Sequence, residues 1–200
     1  MKLTKLLLEY PGAFTPRPKE EWDKNQEEIE KRREEERRKR EPKYIIEQYI
    51  ENGSVGDLEI NGKFHNAVNL FTLPDNLTVN GNLTLIGCRN LIELPKNLTV
   101  EGSFFLQEGR IKYLPDDIKI RDSFVCYECP LEYIPDNFSI EGTLELVYTR
   151  VNEIPYNLKI GKDFNIDFAP LMEKYRGSEI EKIVKDRGGQ IVGEVNACPY

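Results

Sequence analysis

Leu94-Pro95-Lys96-Asn97-Leu98-Thr99-Val100-Glu101-Gly102-Ser103-Phe104-Phe105-Leu106 is the stretch that decides the fold. It holds a Leu-Pro corner, an alternating Leu-x-Val pair, a glycine, and a second alternating pair, Phe-x-Leu. The same order returns about every 20 residues. The units are 73–93, 94–113, 114–133, 134–153 and 154–173, preceded by a degenerate half-unit at 57–72. The first full unit has one additional residue near Arg89-Asn90. A fixed period of this length marks a chain wound into stacked coils, each unable to bury its apolar face alone.

Each column of the repeat has a physical assignment. Leu77/Val79, Leu98/Val100, Ile118/Ile120, Phe138/Ile140 and Leu158/Ile160 form a first strand-like pair, with Leu58/Ile60 ahead of them. One residue separates the members of each pair, so both point inward while the residue between faces water. Leu83/Leu85, Phe104/Leu106, Phe124/Cys126, Leu144/Leu146 and Phe164/Ile166 form the second. A small residue follows at Cys88, Gly109, Cys129, Thr149 and Ala169, and then an aliphatic at Leu91, Ile111, Leu131, Val151 and Leu171. Between the pairs stands a glycine column, Gly62, Gly81, Gly102 and Gly142, with Asp122 in place of one and Gly161 one position early. The column suggests corners of positive φ, which glycine adopts freely and aspartate better than most residues.

The pattern L-x-L-x-x-(small)-x-(L/I/V) resembles the core of leucine-rich repeats. The Leu/Ile-Pro step looks like that of their short bacterial class, and the likeness covers about 115 residues. Two features depart from that family. The small column lacks its usual asparagine, which puts an asparagine ladder there in doubt. The extra L-x-V-x-Gly strand points to a second parallel sheet. The expected fold is therefore mostly β: a parallel β-solenoid of about six leucine-rich-repeat-like coils, with a charged helical arm and helical caps. At ~4.8 Å per coil the stack would be roughly 25–30 Å long.

The flanks read differently. Residues 1–18 are broken by Pro11-Gly12 and Pro16-Arg17-Pro18 and form an irregular leader. Residues 19–41 make a charged arm; from 27 to 41 only Ile29 is apolar. Its Glu27/Lys31, Glu28/Arg32, Glu34/Arg38, Glu35/Lys39 and Glu36/Arg40 spacings support a solvated helix. Residues 43–53 are amphipathic and predict a helix capping the first coil of the 54–173 solenoid. At 174–200 a helix capped by Ser178 and a strand over 190–195 close the far end.

Bulk composition narrows the function. A net charge of −7 lacks the basic footprint of a nucleic-acid binder, and no apolar run approaches a membrane span. Four cysteines in 200 residues are too few for a disulfide scaffold, and suggest a reducing cytoplasm. The sequons at Asn76, Asn82, Asn97 and Asn137 coincide with repeat positions. Cys126-Tyr127-Glu128-Cys129 has metal or redox spacing, but its cysteines occupy core columns and no second such motif completes a site. His65 is the single histidine, with no nucleophile elbow or phosphate loop around it. No catalytic residue, cofactor or metal is expected, and the reading is not an enzyme.

The outward positions of the second strand carry the functional expectation. Phe105, Gln107, Glu108, Val125, Tyr127, Glu128, Glu145, Val147, Tyr148 and Phe168 combine aromatic and polar groups in the manner of a protein interface. In leucine-rich-repeat proteins this is the binding sheet, so the resemblance implies a protein partner. Residues 1–9, ending Leu7-Leu8-Glu9, are similar to the short leader of internal head proteins of T-even-like bacteriophages, which is removed after such a tripeptide. That resemblance implies a phage protein that modulates a host protein in the host cytoplasm, or alternatively a structural head component carried in the virion. An enzyme fragment of effector type is the third reading; it would need a further catalytic domain.

Overall fold

The computed structural model describes residues 19–52, 56–61 and 70–198. The chain divides into two compact units, one up to Glu41 and one from Pro42 onward. In the first, helix α1 spans Lys19–Lys39. Two of the expected pairs close, Arg32–Glu28 at 2.7 Å and Lys39–Glu35 at 2.9 Å, and Arg37 meets Glu34 at 3.5 Å. All are exposed and contribute little individually.

The second unit is a parallel β-solenoid. On one wall β1 (Leu58–Asn61), β2 (Leu77–Asn80), β4 (Thr99–Val100) and β6 (Lys119–Ile120) form a sheet. The same wall continues as a second sheet of β8 (Ser139–Ile140), β10 (Lys159–Ile160) and β12 (Gln190–Ile191). The opposite wall is one wide sheet. Its strands are β3 (Leu83–Ile86), β5 (Phe104–Gln107), β7 (Phe124–Tyr127), β9 (Leu144–Val147), β11 (Phe164–Asp167) and β13 (Val195–Cys198). Neighbouring strands are parallel and in register, with Phe104, Phe124, Leu144 and Phe164 aligned in one row. Both inward pairs of every unit lie in a single core. Among the described residues the complete coils number about five, against the six expected; of the degenerate first unit, β1 lies on the narrow wall and residues 62–69 lie outside the described residues.

The far cap departs from its sequence reading. Helix α3 spans Leu171–Lys174 and α4 spans Gly177–Asp186. The N-cap of α4 is Arg176, whose backbone N–H donates to Glu179 Oε2 at 2.8 Å, so Ser178 lies inside the helix. The expected single strand is two: β12 joins β10 on one wall and β13 joins β11 on the other. The cap is thus a further coil, offset by 31 residues because the helices are inserted ahead of it. Ile180 and Val184 of α4 are buried in the core, as is Ile46 of helix α2 (Pro42–Glu51).

The corner glycines also have a different cause from the one expected. Neither Gly81, Gly102, Gly142 nor Asp122 has positive φ; Gly62 lies outside the described residues. A Cβ on Gly102 would instead sit 2.7 Å from the carbonyl carbon of Gly81, and one on Gly142 2.8 Å from that of Asp122. Successive corners approach too closely there for a side chain. Positive φ falls on the turn asparagines, Asn76, Asn97, Asn137 and Asn157, a residue type that tolerates this region.

Those asparagines build the ladder that the small column lacks. Asn97 Nδ2 donates to Asn76 Oδ1 at 2.8 Å, and Asn157 Nδ2 to Asn137 Oδ1 at 2.9 Å. Asp117 fills the middle place. It has no side-chain N–H to donate and does not adopt the left-handed turn; the Ile118 N–H instead turns back to the Pro115 carbonyl at 3.2 Å. The narrow wall divides between β6 and β8 at this level. Asp117→Asn should rejoin the ladder and stabilise the fold by about 1 kcal/mol, the usual net worth of a hydrogen bond. Urea titration measures it, and no gain would mean the break has another cause.

Candidate functional site

The outward face of the wide sheet is set by pleat and register. Inward side chains of β5, β7, β9 and β11 are buried, and those between them are half-exposed. Phe105, Val125, Glu145 and Asn165 therefore stand in one row, and Gln107, Tyr127, Val147 and Asp167 in the next. The sequence-derived residues are brought together on one wall. Asn196 extends the first row, donating through Nδ2 to Asn165 Oδ1 at 2.8 Å.

Immediately after each strand comes a residue with left-handed backbone: Gly87, Glu108, Glu128, Tyr148 and Phe168, with φ between 50° and 63°. This column was legible as a position but not as a conformation. Large aromatics rarely adopt it, since Cβ crowds the following carbonyl at a cost of ~1–2 kcal/mol. Here the geometry turns Tyr148 and Phe168 into a parallel stack, with ring centroids 4.5 Å apart and planes within 6°. Tyr127 meets Tyr148 edge-on at 5.9 Å. Partial burial raises the Tyr127 hydroxyl above its ordinary range, and the Glu128 carboxylate and Tyr148 push it the same way. The result is an aromatic row along the corner, flanked by carboxylates, with Tyr148 exposed.

Beneath this row lie the cysteines. Cys126 is fully buried and Cys129 nearly so. The Cys126 thiol donates to the Cys129 sulfur, which holds Cys129 below the usual thiol range; that bond and burial push Cys126 well above it. Cys129 Sγ also accepts the Gly109 N–H at 3.3 Å. Burial raises Cys88 to about 11. None of Cys88, Cys126 and Cys129 is in a disulfide. Among the described residues no three metal-ligating side chains converge, and no helix is long and apolar enough to cross a membrane. His65 lies outside the described residues.

Thr149 shares the small column with Cys129, and its Oγ1 is buried without a hydrogen-bond partner. Thr149→Val keeps the shape and removes the unsatisfied hydroxyl. It should stabilise the protein by about 1 kcal/mol, read as a rise in the urea midpoint at constant slope. A fall would show that the hydroxyl is satisfied in solution.

One apolar surface escaped the sequence reading. Ile92 (64% exposed), Tyr113 (56%) and Tyr133 (42%) lie just ahead of the Leu/Ile-Pro corners, with Tyr113 bridged to Tyr133 and its hydroxyl 3.2 Å from Glu132 Oε2. The signal was present as Tyr-Leu-Pro and Tyr-Ile-Pro steps, but the column alternates with glutamate at 93, 153 and 173. It is less continuous than the Tyr127–Tyr148–Phe168 row. Comparison with protein-family models, curated proteins and solved structures finds no significant match to this chain.

Proposed function

We propose that this chain is a non-catalytic protein-binding solenoid that docks its partner on the outward face of the wide sheet. The observation that carries the proposal is the Tyr148–Phe168 stack on left-handed backbone. Sterically costly conformations persist where the surrounding fold holds them, and they cluster at ligand sites. Aromatic anchors ringed by polar groups are also the usual energetic centre of an interface. We read the repeat as the short bacterial leucine-rich class from its Leu-Pro-x-Asn-Leu-x-Val-x-Gly pattern. The partner is then a host protein of a bacteriophage, a reading supported by the leader-like residues 1–9, which lie outside the described residues.

The test is affinity purification from the host with two triple variants. Phe105→Arg/Tyr127→Arg/Tyr148→Arg should weaken partner binding by at least about 100-fold, since buried aromatic anchors typically cost 2 kcal/mol or more each. Ile92→Arg/Tyr113→Arg/Tyr133→Arg should retain it. Circular dichroism and urea melts verify that both remain folded. The reverse ranking would move the site to the opposite corner, and equal retention would reject both surfaces.

A further inference from the structure

The charge on this face is one-sided. Glu108, Glu128, Glu145 and Asp167 occupy outward positions of the wide sheet and its following corner. No lysine or arginine occupies any outward position from β3 to β11 or the corner residue after each. The ion pair of Arg89 with Glu108, at 3.8 Å, reaches one end of the row. The narrow wall is built differently: Lys119, Arg121 and Lys159 stand among its outward residues, and Arg121 lies 3.6 Å from Glu101 and 3.8 Å from Glu141. Of the two walls, only the one that carries the aromatic row has outward acids without outward bases.

Resting on the binding-wall reading, we infer that the partner segment is cationic and arginine-bearing. Its guanidinium groups lie over the Tyr148–Phe168 stack and pair with the Glu128 and Glu145 carboxylates. Glu128 precedes Tyr148 by one coil in the same column, and the Glu128 N–H donates to the Val147 carbonyl beside it at 3.0 Å. A carboxylate and an exposed aromatic side chain are thus offered about one coil rise apart, ~4.8 Å. A planar guanidinium uses both at once, stacking on the ring while its fork donates to the acid; a lysine ammonium is a strongly hydrated point charge without that plane. A neutral or acidic partner would cover these carboxylates without compensation, which desolvation disfavours.

The experiment is fluorescence anisotropy with the full chain and four labelled nine-residue peptides alternating glycine with arginine, lysine, citrulline or glutamate. Arginine should bind tightest, lysine several-fold weaker, and citrulline and glutamate at least about tenfold weaker than arginine. Affinity should fall about tenfold between low and physiological salt, as screening predicts. Glu128→Gln/Glu145→Gln should weaken the arginine peptide about tenfold and Tyr148→Ser similarly. Glu153→Gln/Glu173→Gln, with the same net charge but acids elsewhere, should change it less than about threefold. Equal binding of the arginine and citrulline peptides, equal loss in the two double variants, tighter binding of the glutamate peptide, or no binding at low salt each overturns the inference. The face itself is tested separately by the triple arginine variants: partner loss there with no arginine preference here would leave the binding wall standing and remove only its cationic ligand.

Discussion

Phe124→Ala is expected to destabilise the solenoid by about 3–5 kcal/mol, the range for emptying a buried phenylalanine site. Phe124 is fully buried in the middle coil. Its ring lies 5.3 Å from Phe104 in the preceding coil and 6.2 Å, edge-on, from Phe138 on the opposite wall. The loss therefore reaches along the stack and across the core. In a repeat architecture each coil is held only by its neighbours, so a void at the centre weakens the coupling between the two halves. The melting temperature should fall by on the order of 10 °C for a unit of this size, and the urea transition should broaden if the halves separate. Phe105→Ala, one residue along but outward, should cost less than about 1 kcal/mol. Equal losses at the two positions would contradict the assignment of inside and outside.

Gly102→Ala is expected to be the more severe of two glycine substitutions whose backbone conformations suggest the opposite order. Gly102 does not have positive φ, yet its added Cβ would stand 2.7 Å from both the carbonyl carbon and the oxygen of Gly81 and would run into Asn82 Oδ1. That oxygen already accepts the Ser103 N–H at 3.0 Å. Backbone cannot rotate away, so the coils must part, at a cost of about 1–3 kcal/mol or more for such overpacking. Gly87 has φ of 63° and open space around it; alanine there incurs only the left-handed strain of ~1–2 kcal/mol, and asparagine less. Urea midpoints of Gly102→Ala, Gly87→Ala and Gly87→Asn measure the order. If Gly87→Ala is the worst, conformation rather than coil approach governs the corners. Asp122 and Lys162 carry side chains at equivalent positions, so the demand is confined to the coils where glycine stands.

Much of the architecture could be read directly from the residues. The alternation in Leu98-Thr99-Val100 and Phe104-Phe105-Leu106 is local, and a slip of one residue would expose every apolar side chain. Register was therefore fixed by the chain itself, and the rows Phe104–Phe124–Leu144–Phe164 and Phe105–Val125–Glu145–Asn165 follow from it. The composition of the candidate wall was legible for the same reason. Its shape was not. Nothing in the residue types Tyr and Phe announces left-handed backbone, so the stack at Tyr148 and Phe168 could not be seen in advance. The cap coil was hidden as well: Gln190-Ile191-Val192-Gly193 repeats the x-Ile-x-Gly pattern, but at an interval the helices had stretched.

The amino-acid order by itself determined which side chains face in, which face out, and that the winds lie parallel, because period-two hydrophobicity acts between neighbours in the chain. The tertiary structure alone decided which corners must be glycine, where the narrow wall divides, and how the aromatic rings meet. Those outcomes depend on atoms brought within a few ångströms from positions 20 or more residues apart, where backbone approach and shared hydrogen bonds override the preference of any single residue.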